Sequence, residues 1–133
     1  MVFLSKEIYG ALVEHARAVF PNEACGMLAL LHDRAIKIYP GSNRDASPIH
    51  YQLDPVEQFH IFQEIEEKGW KIGIYHSHTQ AKAKPSREDV ERAYYPEALY
   101  FIISLRNWDD PELRSFWICE GKVKEEEIVL EGM

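Results

Sequence analysis

The chain has 133 residues, of which 46% are hydrophobic and 28% charged, a balance typical of a single soluble domain. Its 15 basic and 22 acidic residues give a net charge of −7, which argues against nucleic acid as the main partner. No apolar stretch approaches the roughly 20 residues of a membrane span, and the N-terminus lacks the pattern of a signal peptide. We therefore expect one domain over residues 1–133, cytoplasmic, with no nucleic-acid or membrane partner.

The first part of the chain predicts a helix followed by two strands. Apolar residues recur at helical spacing over 6–19, Ser5 is a good N-cap, and Pro21 lies just past the end. Cys25 to Leu31 is a compact apolar run typical of a buried strand, and Arg34 to Tyr39 predicts a second strand after a turn.

A second helix is predicted after a loop at 40–48 and a short strand from His50 to Leu53. Asp54 would cap this helix, Pro55 would occupy its first position, and Gly69 would end it. Its buried stripe is predicted from apolar residues at every third position: Val56, Phe59, Phe62 and Ile65.

The second half of the chain predicts mostly strands. They are interrupted by a loop at 79–85 and by a short helix that Ser86 caps and that runs to about Tyr94. The predicted strands are Lys71 to His78, Leu99 to Leu105, Leu113 to Cys119 and Lys122 to Leu130. Helices and strands mix without a regular βαβ repeat, which predicts the α+β class.

The two cysteines, Cys25 and Cys119, are too few and too far apart in sequence to form a disulfide framework. Cys25 opens an apolar strand and Cys119 ends one. We expect both to be small buried residues rather than nucleophiles.

The segment from His76 to Asp89 carries the most informative pattern. Side chains at positions i and i+2 of a strand lie on the same face, so His76 and His78 can direct two imidazoles to one point. Asp89 falls in the first turn of the next helix, where an ionised carboxylate is favoured. Two imidazoles and one carboxylate with one position open are typical of a catalytic Zn²⁺ site.

Glu23, at the junction of the first helix and first strand, is the candidate to take a proton from a metal-activated water. Simpler interpretations stay open for these residues. Ser86 and Asp89 also satisfy a helix capping box, and an isolated glutamate is most often a surface carboxylate. The remaining histidines have no partner at ligand spacing: His15, His32, His50 and His60.

Taken together, these positions resemble the JAMM (MPN+) metallopeptidase family. Its motif is an upstream Glu, then HxH, seven residues, Ser, two residues and Asp, which Glu23, His76, His78, Ser86 and Asp89 match in type and spacing. The segment around Glu23, PNEACGML, and the middle segment with Asn43 and Asp54-Pro55 are also similar, so the resemblance covers roughly residues 5–120. The segment HSHTQAKAKPSRED is particularly similar to the short prokaryotic branch, which includes peptidases of ubiquitin-like sulfur-carrier proteins.

The resemblance implies a cytidine-deaminase-like fold, with a mixed, curved sheet flanked by helices. It also implies hydrolysis of a peptide or isopeptide bond at the C-terminus of a ubiquitin-like sulfur-carrier protein. His76, His78 and Asp89 would hold Zn²⁺, Glu23 would be the general base, and Ser86 would donate a hydrogen bond to the developing oxyanion.

The sequence leaves open the role of two lysines, the exact function and the oligomeric state. Lys82 or Lys84 would attract the carboxylate of a leaving amino acid, or both would belong to a solvated loop. A deconjugase of lysine isopeptides, a hydrolase of small amides and a catalytically silent scaffold module are the rival functions. The aromatic residues Tyr94, Tyr95 and Trp108 leave a homodimer open beside a monomer.

Overall fold

The computed structural model describes residues 1–132, so the last residue of the predicted 1–133 domain lies outside the described residues. The helices are Lys6–Val19 (α1), Pro55–Lys68 (α2) and Arg87–Glu91 (α3). The strands are Val2–Ser5 (β1), Cys25–Leu31 (β2), Arg34–Pro40 (β3), Lys71–His78 (β4), Leu99–Ser104 (β5), Glu112–Cys119 (β6), Lys122–Glu126 (β7) and Ile128–Glu131 (β8).

All these strands join one mixed sheet in the order β7-β6-β5-β4-β2-β3-β1-β8. The β4–β5, β1–β3 and β1–β8 pairs are parallel, and the others are antiparallel. β7 and β8 lie at opposite ends of this order, yet only Glu127 separates them in sequence. The sheet must therefore curl until its two edges approach, which confirms the predicted α+β class and the mixed, curved sheet.

The sheet is covered on its two faces by different helices. α1 buries Leu12 and Ala16 against one face, in a cluster that includes Tyr75 of β4. α2 covers the other face, where Ile65 packs in a cluster that includes Ile74 of β4. Because neighbouring strand residues point to opposite faces, β4 contributes to both clusters and lies at the centre of the molecule.

α2 begins and ends as predicted, but its buried face differs from the prediction. Asp54 caps the helix by accepting from the Val56 and Glu57 N–H groups, and Gly69 ends it in the left-handed region at φ 69°. Val56 and Phe59 are 65% and 53% exposed, so the predicted stripe is wrong at both positions. The helix is rotated so that it packs through Ile61, Phe62 and Ile65 instead.

The structure also corrects several strand and helix boundaries. His50–Leu53 is not a strand, and only Leu53 makes an isolated bridge, to Asn43. The predicted final strand, Lys122–Leu130, is two strands that pair with different neighbours. α3 ends at Glu91 rather than near Tyr94, where the chain turns away from the helix towards β5.

Three further points concern the ends of the chain and the cysteines. β1 was not predicted, since its stability depends on parallel pairing with β8 from the far end of the chain. Cys25 is buried as expected, whereas Cys119 is exposed, which contradicts the prediction. Among the described residues, no helix is both long and apolar enough to cross a membrane.

Candidate metal centre

The two histidines of the HSH triplet lie at the end of the central strand β4. His76 and His78 are 1% and 4% exposed, because β2 and β5 pair with β4 on either side. His76 is aligned with Cys25 of β2 and Ile102 of β5. Both imidazoles emerge from the sheet face that carries α2, at its edge, where β4 gives way to the loop at 79–85.

Glu23 lies opposite His78, two residues before the start of the β2–β4 pairing. The Ala24 N–H donates to Ser77 Oγ at 2.8 Å and the Ser77 N–H donates to the Ala24 carbonyl at 3.0 Å, which continues the register past Cys25 and His76. Glu23 is 5% exposed, so it is not a surface carboxylate. Burial raises its pKa to about 8, against the opposing effect of the nearby His78.

Asp89 reaches the histidines from the third position of α3. Ser86 Oγ accepts from the Asp89 N–H at 3.0 Å, and Asp89 Oδ2 accepts from the Ser86 N–H at 2.9 Å. The capping box is therefore present, as the simpler interpretation required. The same Asp89 Oδ2 also lies 3.2 Å from His76 Nε2 and 2.9 Å from His78 Nε2. One carboxylate thus caps the helix and faces both imidazoles.

Three potential ligand atoms converge at this point. The Nε2 atoms of His76 and His78 are 3.2 Å apart, close to their separations from Asp89 Oδ2. A tetrahedral zinc ion with bonds of about 2.0–2.1 Å would place its ligand atoms roughly 3.3–3.4 Å apart. Within residues 1–132, these three side chains form the group of His, Cys, Asp or Glu residues compact enough to hold a metal ion.

The hydrogen bonds around His78 indicate what this arrangement requires. His78 Nδ1 lies 2.8 Å from the Lys82 carbonyl oxygen, and because a carbonyl only accepts, Nδ1 carries the hydrogen. In the neutral ring, Nε2 then carries a lone pair and no hydrogen. This lone pair faces those of Asp89 Oδ2, which lies 2.9 Å from Nε2. Two acceptors at that distance need a proton or a cation between them. The donor set therefore fits a divalent metal such as zinc.

The pKa values of the three groups follow from the same contacts. Burial lowers the pKa of His76, and Asp89 compensates only in part. Burial also opposes the charged form of His78, but the hydrogen bond to Asp89 and the Lys82 carbonyl raise its pKa overall. Burial would raise the pKa of Asp89, yet the contacts with both histidines, which donate from Nε2 when that atom is protonated, hold it well below its usual range.

A compact loop over residues 43–53 covers this site and was not predicted to take part in it. The Asn43 side chain donates to the Glu23 and His50 carbonyls at 3.0 and 2.9 Å. Its oxygen accepts from the Asp45 and Gln52 N–H groups at 3.0 and 3.1 Å. All four hydrogen-bonding positions of this amide are used. Asn43 therefore joins the two ends of the loop and fixes the loop to the backbone of Glu23, the candidate base.

The same loop contacts the other parts of the site. The Ser47 carbonyl accepts from the Glu23 N–H at 2.8 Å, and the Thr79 hydroxyl donates to the Pro48 carbonyl at 2.9 Å. His50, which has no partner at ligand spacing in the sequence, lies with Nδ1 2.6 Å from Glu88 of α3. Tyr51 stacks on the His76 ring. The sequence offered only Asn43 as a signal for this loop, through the resemblance of the middle segment.

Lys82 and Lys84 line an open cleft of about 860 Å³ beside the loop at 79–85. Arg106 and Arg114 also line it, together with Asp110 and Glu112. The Lys82 side chain is exposed, whereas its backbone carbonyl holds His78. The cleft therefore adjoins the metal cluster through the backbone of Lys82 and presents a mainly basic surface.

Comparison with known proteins agrees with this geometry. Residues 5–119 match the family described as prokaryotic homologs of the JAB domain. The chain is 39% identical over 131 residues to the CysO-cysteine peptidase of Mycobacterium tuberculosis, covering 96% of this chain and 90% of that protein. It is also 37% identical over 130 residues to the desampylase of Haloferax volcanii, covering 87% and 94% of the two chains.

Solved structures show the same fold. A solution structure from Desulfitobacterium hafniense aligns with a TM-score of 0.87 at 38% identity, covering 100% of this chain and 94% of that one. A JAB1/MPN domain protein of Archaeoglobus fulgidus aligns with a TM-score of 0.62 at 18% identity, covering 98% of each chain, and shows the fold alone. The chain therefore belongs to the JAMM-type family of prokaryotic JAB-domain proteins.

Proposed function

We propose that the chain is a zinc-dependent peptidase, a single domain over residues 1–133, that acts at the C-terminus of a ubiquitin-like sulfur-carrier protein. The observation that carries the proposal is the convergence of His76, His78 and Asp89 on one point, with the buried Glu23 beside it. The similarity to proteins named CysO-cysteine peptidase and desampylase supports a hydrolase with this class of substrate.

His76, His78 and Asp89 would hold the metal through two Nε2 atoms and Oδ2. When bound, zinc would supply a water of lowered pKa and polarise the carbonyl of the scissile bond. The Lys82 carbonyl keeps His78 in the tautomer whose Nε2 is free to act as a ligand. His76 and His78 are buried and the Asp89 side chain is only 11% exposed, which limits the access of bulk water and strengthens their electrostatic interactions.

Glu23 is proposed to take the proton from the attacking water and to deliver it to the leaving amine. A base with a pKa of about 8 in the metal-free protein is suited to exchange protons near neutral pH. Its carboxylate is placed by two backbone anchors: the Glu23 N–H donates to Ser47 and its carbonyl accepts from Asn43. Glu23 itself is not a ligand in this proposal.

Ser86 is proposed to donate a hydrogen bond to the oxyanion that forms at the substrate carbonyl. Its oxygen accepts from the Asp89 N–H, which uses a lone pair and leaves the O–H hydrogen available. The capping role and the catalytic role are therefore compatible in one side chain.

The experiment is intact-mass analysis of a ubiquitin-like sulfur-carrier protein that bears one extra C-terminal cysteine. Loss of that single residue is expected with the zinc-loaded protein and not with a chelator or with Glu23→Gln. A carrier that stays intact while the protein binds about one zinc would refute the proposed substrate and leave the metal site standing.

A second candidate is a deconjugase that cleaves lysine isopeptides, which the match to desampylase favours. The same assay with the carrier joined to a lysine side chain separates the two activities. Release of the carrier from lysine, with no trimming of the cysteine-extended form, would replace the first candidate by the second. Inactivity on both, with zinc bound, would favour the scaffold function.

A further inference from the structure

The two histidines of the metal cluster are oriented by different means. His78 donates from Nδ1 to the Lys82 carbonyl, which fixes the plane of its ring. His76 Nδ1 is buried and has no hydrogen-bond partner among residues 1–132. Metal-binding histidines almost always donate their second ring N–H to an oxygen acceptor, which fixes the ring orientation. His76 therefore lacks the usual means of holding its ring.

An aromatic ring takes the place of that acceptor. The Tyr51 ring lies parallel to the His76 ring, with centroids 4.3 Å apart and an angle of 14° between the planes. The His78 ring, by contrast, meets His76 at 60° with centroids 5.0 Å apart. Rotation of the His76 imidazole about its Cβ–Cγ bond would drive its edge into the Tyr51 face, so the stacked ring restricts this rotation.

Tyr51 is itself held by its neighbours in the 43–53 loop. The carbonyl of His50 accepts from the Asn43 side-chain NH₂ group, and the N–H of Gln52 donates to the Asn43 side-chain oxygen. The Gln52 carbonyl also accepts from the Arg44 N–H at 2.8 Å. The backbone on both sides of Tyr51 is thus fixed, and the ring is presented to His76 without any need for rearrangement.

We propose that Tyr51 is a positioning residue that orients His76 for metal binding by ring stacking. The stacked ring keeps His76 Nε2 directed at the point where His78 Nε2 and Asp89 Oδ2 converge. The inference rests on the proposed function, in which these three side chains hold zinc. It assigns the stabilising interaction to the aromatic face of Tyr51 and not to its hydroxyl group.

The test is the zinc dissociation constant, measured by competition with a chelator of known affinity. Outer groups that orient a metal-binding histidine are worth about 10–100-fold in affinity. We expect Tyr51→Ala and Tyr51→Leu to weaken zinc binding by about that factor, and Tyr51→Phe to retain the affinity of the unmodified protein. Leucine keeps much of the volume without the aromatic face, which separates stacking from simple filling of space.

Tyr94 provides a matched control. It is 72% exposed and lies just after α3, and we expect Tyr94→Ala to leave the dissociation constant unchanged. Visible absorption of the Co²⁺-loaded proteins gives a second measurement, independent of activity. The Tyr51→Leu spectrum should change in shape and intensity as His76 becomes loosely held, while the Tyr51→Phe and Tyr94→Ala spectra should match the unmodified protein.

Three results would overturn the inference. Unchanged zinc affinity in Tyr51→Leu and Tyr51→Ala would show that His76 needs no stacked ring. A loss in Tyr51→Phe equal to that in Tyr51→Ala would assign the effect to the hydroxyl group. An unmodified protein that binds no zinc would refute both the proposed function and this inference. The first two results would refute the inference alone and leave the proposed function standing. Circular dichroism of the metal-free variants identifies any loss that arises from misfolding.

Discussion

Ser77, the residue between the two histidines, accepts a hydrogen bond through Oγ from the Ala24 N–H at 2.8 Å. This contact joins the strand that carries His76 and His78 to the residue after Glu23. Ser77 is fully buried, so bulk water has no access to compete with its hydroxyl group for the Ala24 N–H. The HSH triplet thus contributes two candidate ligands from one face of β4 and, from the other face, a contact that positions the candidate base.

Ser77→Ala should therefore impair both stability and turnover. The Ala24 N–H would be left buried without its partner, at a cost of about 1–3 kcal/mol in the free energy of unfolding. Turnover should fall because Glu23 loses a neighbouring anchor, while zinc content stays unchanged. Ser115→Ala is the control: Ser115 is equally buried and donates to the Glu126 carbonyl at 2.8 Å, away from the site. Equal turnover in the two variants, measured at equal zinc content, would refute the link to Glu23.

Glu23→Gln should stabilise the metal-free protein at neutral and alkaline pH. The pKa of Glu23 is raised by burial from 4.5 to about 8, so the folded state binds its proton more tightly than the unfolded chain does. The stability that protonated Glu23 contributes is fully present below pH 4.5 and is lost as the pH rises through about 8.

The difference in the free energy of unfolding between Glu23→Gln and the unmodified protein should thus grow between those pH values. At about 1.4 kcal/mol for each pKa unit, it should reach about 3–5 kcal/mol in favour of Glu23→Gln. Denaturant titrations in the presence of a chelator, repeated at several pH values, measure it. A difference that stays constant with pH would contradict the raised pKa.

Ser86 variants should separate helix capping from catalysis. Ser86→Ala removes the acceptor for the Asp89 N–H and should cost about 1 kcal/mol in stability. It also removes the proposed donor to the oxyanion, which typically lowers the rate by about 10²–10³-fold. Ser86→Thr keeps the cap and the hydroxyl group and should retain most of the activity. A stable Ser86→Ala variant with normal turnover would leave Ser86 with the capping role alone.

The basic cleft should affect substrate binding and not the chemical step. Replacing Lys82 and Lys84 together by alanine is expected to raise KM several-fold for a substrate whose leaving amino acid has a free carboxylate. The value of kcat should hold, because His78 is bound by the backbone carbonyl of Lys82 and not by its side chain. The control is the double variant Lys122→Ala with Lys124→Ala, which removes the same two positive charges from β7, away from the cleft. If both double variants have the same KM, the lysines are ordinary surface residues.

The sequence predicted the elements whose signals are local. α1 and α2 have clear caps at Ser5 and Asp54. β2 is a compact apolar run, and β4 was predicted over the same residues that the structure shows, Lys71 to His78. The metal cluster was predictable because the two-residue period of a strand and the first turn of a helix dictate which side chains can meet. The presence of the cluster agrees with that prediction, and its role as a zinc site stays a proposal.

The features that the sequence did not predict depend on contacts between distant parts of the chain. β1 exists because β8 pairs with it, and the predicted final strand breaks at Glu127 because its two parts pair with opposite edges of the sheet. The 43–53 loop looked like a turn followed by a strand, since nothing local indicates the four hydrogen bonds of Asn43. The stacking of Tyr51 on His76 joins residues that have no common pattern in sequence.

The most direct test of the central claim is the zinc content of the purified protein, measured by elemental analysis beside Glu23→Gln and Asp89→Asn. We predict about one zinc per chain in the unmodified protein and in Glu23→Gln, since Glu23 is not a ligand, and almost none in Asp89→Asn. An unmodified protein that takes up no zinc, or an Asp89→Asn variant that takes up as much, would contradict the assignment of His76, His78 and Asp89 as the metal ligands.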